Sequence, residues 1–395
     1  MPKVTVAITT YNRPDYLRES IEAVLKQTFK DMEVLVIDNG SGVSTHNVVR
    51  DFNDPRLRYI RIPENVGSAG AWSEAMKRAA GDYIVVTHDD DRMIETMIEK
   101  QVSMMESDDS INVIGCNVSI IDGAGNVVSE RDHAIDQDVI FPECKYIQAY
   151  MQDRFRIHCP TFMLRRCINT GKQKVHVTNK LCGCTKETPG VGLVGDIFLL
   201  CHMNIGGKIG FIAEPQLQYR EHEGSETLQT TINDDITMHK AVLSLLKWNL
   251  KMRWVVKYVK ASLYRHMALS RLMDGKAAKC ALKKLENCGV PLDLMPITPD
   301  GRCDKLAGKR VAIFGSFLNA YLIAKNCQAS GVKVVCFLDN RLDRQGKRFA
   351  KIPIVGLSGA KGFDTIIISS ERRSKESLMP VLEPLGKEVI HWREL

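Results

Sequence analysis

At 395 residues the chain exceeds one ordinary hydrophobic core, and at roughly 100–200 residues per domain it divides into two or three units. An apolar share of 44% and a charged share of 26% are those of a globular protein, and no run approaches the ~18 uninterrupted apolar residues of a helical membrane span. The net charge of +7 is unevenly placed: residues 240–284 hold twelve Lys or Arg against the single acid Asp274, which leaves the rest slightly acidic.

Met1 to Thr10 lead directly into an apolar strand without a basic leader or a small-residue cleavage site, so a cytosolic location is expected. Twelve irregularly spaced cysteines in such a chain read as reduced thiols, and Cys182 and Cys184 lack the matching second pair of a zinc knuckle. Val4 to Ile8 is a strand, Thr9 to Pro14 a polar turn, and Tyr16 to Lys26 a helix. Met32 to Ile37 is a buried strand ending in the turn Asp38-Asn39-Gly40-Ser41. Leu57 to Ile62 is a third strand; after Asn65-Val66-Gly67 come a helix, Ala69 to Ala80, and a fourth strand, Tyr83 to Thr87, that stops at His88-Asp89-Asp90-Asp91. Strand, helix, strand in this order predicts an α/β fold with a parallel sheet, whose ligands bind beyond the carboxyl ends of the strands.

Further on, Val113 to Ile121 and Cys159 to Leu164 are expected strands, Gly195-Asp196 opens a helix, and Ile209 to Ala213 is a strand followed by a polar tail, Tyr219 to Ser225. Met238 to Cys288 reads as helical, and Pro291, Pro296 and Pro299 mark a linker. From about Gly308 a second α/β pattern runs through strand Val311 to Phe314, helix Ala320 to Ser330, and strands Lys333 to Leu338 and Thr365 to Ser369. The expected units are residues 1–230, a basic helical segment with linker at 231–300, and a small Rossmann-like unit at 301–395.

Three aspartates at the end of a buried strand repel one another unless something positive binds there; the alternative is a solvated turn capping the next helix. Oxygen ligands of this kind suit Mg²⁺ or Mn²⁺ bound jointly with substrate phosphates.

Val4-Thr5-Val6-Ala7-Ile8-Thr9-Thr10-Tyr11-Asn12-Arg13, Val36-Ile37-Asp38-Asn39-Gly40-Ser41, Asn65-Val66-Gly67, Gly81-Asp82-Tyr83-Ile84 and Asp89-Asp90-Asp91, in this order and spacing, resemble the family-2 glycosyltransferases of the GT-A fold. The similarity continues to about Ser225. It implies that Thr9 and Tyr11 carry a nucleobase, with Tyr11 stacking on it, that Asp38 or Asn39 meets the base edge, and that Arg13, Asn65 and Gly67 belong to the nucleotide-sugar site. It further implies Asp89 at the ribose or phosphates, Asp90 as a ligand of Mn²⁺ or Mg²⁺, and His88 beside them. Gly195-Asp196 resembles the family's late acidic motif, which makes Asp196 the catalytic base; an N-cap is the alternative. Tyr219-Arg220-Glu221-His222 resembles the closing segment, in which Arg220 and His222 lie near the diphosphate, His222 also as a metal ligand, or else this is a surface loop. His158-Cys159-Pro160-Thr161 falls where relatives line the acceptor pocket.

The resemblance implies an inverting, metal-dependent transferase that moves a sugar from a nucleotide-diphosphate donor, UDP foremost, to a glycan or lipid-linked acceptor in surface polysaccharide synthesis. The basic segment 240–284 is either a solvated face or an attachment to an anionic membrane surface at the inner face; no motif for nucleic acid accompanies it. Gly315-Ser316-Phe317-Leu318-Asn319-Ala320 lacks two of the three glycines of a dinucleotide fingerprint, so the last unit is expected to scaffold or to mediate homo-oligomer contacts. The rival readings are an NAD-dependent oxidoreductase run by that unit, with Asp339 at a ribose, and a non-catalytic nucleotide-sugar binding protein.

Overall fold

The computed structural model describes residues 1–42, 45–152, 154–169, 174–176, 195–222, 224–225, 232–246, 253–270, 284, 287–288, 303–315, 317–340, 344–349, 351–369 and 375–394. The Cys182 and Cys184 pair, the proline linker and Ser316 lie outside these residues.

Four parallel strands form the start of the main sheet: β1 (Val4–Thr10), β2 (Met32–Asp38), β3 (Leu57–Arg61) and β4 (Tyr83–His88), in the order β3-β2-β1-β4. They are joined by α1 (Pro14–Leu25), α2 (Thr45–Arg50) and α3 (Gly67–Arg78). Because β2 lies on one side of β1 and β4 on the other, the strand order reverses at β1. The crevice beyond the ends of β1 and β4 is the switch point where open α/β sheets take ligands. Strand alternation assigns the two faces: Val4, Val6 and Ile8 pack with Leu17 and Ile21 of α1, while Ala7 faces Trp72 and Ala75 of α3.

The second half continues the same sheet. β5 (Arg92–Met93), α4 (Met97–Ser107), β6 (Ile111–Ile121), β7 (Val127–Ser129), β8 (Val139–Phe141), α5 (Lys145–Met151) and β9 (Met163–Arg165) follow in order. β9 runs antiparallel between β4 and β6. The expected strand Cys159 to Leu164 is therefore a 3-10 turn, Cys159–Thr161, followed by the shorter β9. Pro160 has no N–H for a sheet ladder, and the carbonyl of His158 accepts from both the amide and the hydroxyl of Thr161, which closes the turn. A small antiparallel pair, β10 (Cys167–Asn169) and β11 (Lys174–His176), precedes α6 (Gly195–Ile205) and β12 (Lys208–Arg220). β12 pairs parallel with β6 as far as Arg220, so Tyr219 and Arg220 belong to a strand and not to a polar tail.

α7 (Ile232–Leu246) and α8 (Arg253–Ser270) pack through Met238, Val242, Val255 and Val259 against α5 and α6. The last unit contains β13 (Arg310–Phe314), α9 (Phe317–Ala329), β14 (Lys333–Leu338), β15 (Arg348–Phe349), β16 (Ile352–Val355), β17 (Thr365–Ile368), α10 (Lys375–Leu382) and β18 (Glu388–His391). β16-β14-β13-β17-β18 form a parallel sheet, edged by antiparallel β15, with α9 and α10 contributing to separate core clusters. α9 starts three residues before the expected Ala320.

Candidate functional site

A cavity of about 320 Å³, within the range of small-molecule sites, opens at the switch point. Eleven of the residues singled out from the sequence line it: Thr9, Tyr11, Arg13, Asn39, Asn65, Gly67, His88, Asp89, Asp90, Asp196 and Arg220. Asp38 and His222 do not.

The turn after β1 is sewn to the turn after β2. Asn12 sits in the left-handed region at φ 57°, its amide donates to the Ser41 hydroxyl, and its side-chain oxygen accepts from Gly42 N. At Gly40, with φ 73°, an added Cβ would lie 2.5 Å from the carbonyl carbon of Glu64, so only glycine lets the turn after β2 approach the segment that follows β3. Tyr11 is held out into the opening, 43% exposed. Asn39 donates to Asn65 Oδ1 (3.0 Å) and the Gly67 carbonyl (3.2 Å) and accepts from Val66 N (3.0 Å), so it fastens the 65–67 turn to the cavity floor.

Asp38 is fully buried and faces away from the cavity. It accepts hydrogen bonds from Ser41 N and from the hydroxyls of Thr45 and Tyr59. Burial pushes its carboxyl up, but these donors outweigh it and hold it below the usual range. Of the two candidates for a base edge, then, Asn39 is the one on the cavity wall.

The end of β4 concentrates charge. Asp89, 3% exposed, accepts from the Thr10 hydroxyl (2.7 Å), Tyr11 N (3.3 Å) and Arg13 (3.1 Å). Burial, reinforced by Asp90, pushes its carboxyl up to about 7. Asp90 faces burial too, but His88, Arg13 (2.6 Å) and His222 (3.1 Å) hold it below the ordinary range. Asp91 is driven well above that range, first by burial and then by Asp90. One of its oxygens accepts from Arg220 N at 3.0 Å, while the other, Oδ2, is buried without a hydrogen-bond partner.

That orphaned oxygen tests the expected metal. One ligand atom each from His88, Asp90 and Asp91 lies within 4.8 Å of the others, and a mixed imidazole and carboxylate set suits Mn²⁺ at least as well as Mg²⁺. These residues fit a divalent cation. The set differs from the one read in the sequence: His88 and Asp91 join Asp90, while His222 hydrogen-bonds the Asp90 carboxylate. Arg220 is also placed differently. It is 2% exposed, and its guanidinium donates to Glu19 and to the carbonyls of Asp90, Asp122 and Gly123 while lying 4.5 Å from the Tyr16 ring centroid. With every arm engaged, it braces the aspartates and is not available to a leaving group.

Asp196 opens α6 and lines the same cavity. Burial raises its carboxyl, and the positive charge of Arg156, another wall residue, opposes that rise. Asp91, Arg156, Trp72 and Tyr219 were not singled out as site residues. Of these only Asp91 carried a local signal, as the third acid of its run.

Residues 5–170 match the model of the family described as Glycosyl transferase family 2. An uncharacterised glycosyltransferase of Methanocaldococcus jannaschii is 33% identical over 133 residues, 33% of this chain and 46% of the relative. The UDP-Glc:alpha-D-GlcNAc-diphosphoundecaprenol beta-1,3-glucosyltransferase WfgD of Escherichia coli is 36% identical over 102 residues, 26% of this chain and 40% of the relative. The matches thus span less than half the length of these relatives. Among solved structures, S. aureus TarS 1-349 in complex with UDP-GlcNAc superposes with a TM-score of 0.53 at 17% identity, covering 74% of this chain and 84% of that one, a likeness of fold. Residues 5–170 of this chain form a glycosyltransferase family 2 domain.

Proposed function

We propose that the chain is an inverting, metal-dependent glycosyltransferase that moves a sugar from a nucleotide-diphosphate donor to a glycan or lipid-linked acceptor in surface polysaccharide synthesis. The observation that carries this reading is a single cavity lined by His88 and Asp90, with buried Asp91 completing a cation-seeking cluster behind them, and by Asp196 at a helix start. The exposed Tyr11 ring stacks on the nucleobase, and Asn39 and Asn65 shape the floor beneath it. A divalent cation held by His88, Asp90 and Asp91 would neutralise negative charge gathering on the leaving diphosphate. Asp196 accepts the acceptor hydroxyl proton as that oxygen bonds to the anomeric carbon and the bond from that carbon to the diphosphate oxygen breaks. One displacement inverts the anomeric centre. Binding without turnover is the poorer reading, because Asp196 has no task in it.

UDP is the preferred donor nucleotide: the Escherichia coli relative is named for UDP-Glc, and TarS was solved with UDP-GlcNAc. The same relative is named for a diphosphoundecaprenol acceptor, which favours a lipid-linked one here. Action at the cytoplasmic face of a membrane fits the basic segment, where Lys257 and Lys260 are exposed and Trp254 is 38% exposed on α8. Among the described residues no helix is long and apolar enough to cross a membrane. The C-terminal unit serves as a Rossmann-like scaffold or homo-oligomer contact. NAD is disfavoured because Asp339 already receives Arg344 at 2.9 Å.

Thermal stabilisation by a panel of nucleotide diphosphates, with and without Mn²⁺, tests the reading on wild type and Asp90→Ala. A Mn²⁺-dependent rise for one nucleotide, lost in the variant, is expected. A rise with NAD alone would overturn it.

A further inference from the structure

The cavity holds a guanidinium that the proposed chemistry does not use. Arg13 and Arg220 are committed, the first to Asp89 and Asp90 and the second to Glu19 and three carbonyls. Arg156 is half-buried and lines the same cavity, yet among the described residues its side chain makes no hydrogen bond or ion pair. Its neighbours aim it there. Phe155 turns inward onto His133, with centroids 4.5 Å apart, and onto Phe211 at 4.7 Å. Ile157, fully buried, fills the space over Gly115 of β6, where an added Cβ would lie 2.1 Å from its Cγ2. With these two in the core, Arg156 between them and His158 beyond face the cavity. The Arg156 carbonyl accepts from His133 Nε2 at 2.6 Å, which pins the backbone. His158 is already engaged, its Nε2 3.0 Å from Asp132 Oδ2, and Arg156 is not.

Two phenols, Tyr150 and Tyr219, and two acids, Asp196 and Asp235, act electrostatically on Arg156. Phenols are neutral near pH 7, which leaves the acids. Asp196 takes hydrogen bonds from the amides of its own helix start, Asp196 N and Ile197 N, and Asp235 lies 3.8 Å from His266. Neither comes within ion-pair distance of the guanidinium, so its N–H donors have no protein acceptor. Such a group has lost part of its water shell with no bond in return, a deficit that a pair of ligand oxygens would reverse. On Asp90 the opposing cations are His88, Arg13 and His222, whereas on Asp196 Arg156 comes first. Arg156 therefore belongs with Asp196, the carboxylate at which transferred and acceptor sugars meet in the proposed displacement, while the donor diphosphate is served by the divalent cation. A planar fork of donors matches the two oxygens of a carboxylate or phosphate; a neutral hydroxyl offers it a single atom and no charge.

We infer that Arg156 recognises an anionic substituent, a carboxylate or a phosphate, on one of the two sugars that meet at Asp196, and so makes the enzyme selective for an acidic sugar. This rests on the transferase reading and adds a substrate class to it.

The test uses the full chain with Mn²⁺ in two arms that separate the sources of the charge. The donor arm sets UDP-glucuronate against UDP-glucose, by affinity and by turnover. The acceptor arm sets alkyl glucuronides and alkyl glucoside 6-phosphates against alkyl glucosides. Each anionic-to-neutral ratio of kcat/KM or affinity is taken within one form of the enzyme, so losses common to both substrates cancel. A hydrogen-bonded charge pair is worth about ten- to a hundred-fold. Wild type should favour the anionic member of one arm by at least about ten-fold, and Arg156→Met and Arg156→Gln should bring that ratio close to one. Arg156→Lys, which keeps the charge and loses the fork, should fall between. Wild-type ratios near one in both arms overturn the inference alone, as does a preference that survives in the Met and Gln variants. So does a wild type that binds UDP, holds UDP-glucuronate no tighter than UDP-glucose and glycosylates no acceptor of either set. A wild type that neither binds nor turns over any nucleotide sugar overturns the transferase reading and this inference with it.

Discussion

Asp89 gives the ligand-free fold a pH dependence of definite sign. Its carboxyl, pushed up to about 7 by burial and by Asp90, stands about three units above an unfolded aspartate. The native state therefore binds this proton more tightly than the unfolded chain, and the associated stability is full at low pH and declines as pH rises from about 4 towards 7. The two units between pH 5 and a native value of about 7 amount to about 2.7 kcal/mol at 1.36 kcal/mol each, reached by about pH 8 because the group is half ionised at pH 7. Asp38, Asp54, Glu74 and Asp108 are shifted downward, so their contributions are constant above pH 5 and fall away only in stronger acid. His202, lowered by burial, works in the opposite sense, and Asp91, also raised, in the same one. Comparison with Asp89→Asn cancels His202, whereas Asp91, raised in part by Asp89, relaxes in the variant and adds to the difference in the same sense. Urea titrations in chelator at pH 5, 6, 7 and 8 should show the variant gaining on wild type by about 2.7 kcal/mol or more across that range. Curves parallel to within about 0.5 kcal/mol, the usual limit of additivity, would refute the reasoning.

Asp196→Asn should lower kcat by roughly 10²- to 10⁴-fold with donor KM little changed, and the acid limb of the wild-type kcat profile should lie above the ordinary aspartate range, because burial raises this carboxyl. Steady-state kinetics across pH checks both, and a variant with near wild-type kcat removes Asp196 as the base. Arg220→Met should cost about 2 kcal/mol in urea unfolding, since it removes every hydrogen bond of a buried guanidinium and leaves the Asp90 carbonyl without its side-chain donor, while Glu19 keeps Arg92 and the Asp122 and Gly123 carbonyls keep Gly125 N and the Tyr16 hydroxyl.

The first four strands were legible because each is a short apolar run closed by turn residues, and parallel pairing follows from the helices between them. Asp89 and Asp90 stood out as acids at a strand end, whereas Asp196 came from the resemblance of Gly195-Asp196 to a family motif, since an acid at a helix start reads locally as an N-cap. What escaped was decided by partners distant in sequence. Nothing around Asp38 indicates that Thr45 and Tyr59 will draw it inward, away from a nucleotide. Arg220 looks like a surface cation until β12 is seen to continue alongside β6 and carry it beneath Asp90. The pairing of His158 with Asp132 depends on where the irregular stretch between β7 and β9 crosses β6, and periodicity does not encode that crossing. Cys159 to Leu164 misled for a different reason, since an apolar run with an early proline can close into a tight turn as readily as it extends.

Arg13 joins Asp89 and Asp90 through one guanidinium nitrogen and reaches the Gly224 carbonyl with another, at 3.1 Å. Any cation that enters this pocket must compete with a tethered positive charge already at the Asp90 carboxylate. Affinity there is a difference between two cations, which sets a threshold that Na⁺ and K⁺, with one charge each, are poorly equipped to pass. The threshold also links segments 211 residues apart, for an arginine displaced from the carboxylates takes with it the hydrogen bond that holds the backbone at residue 224.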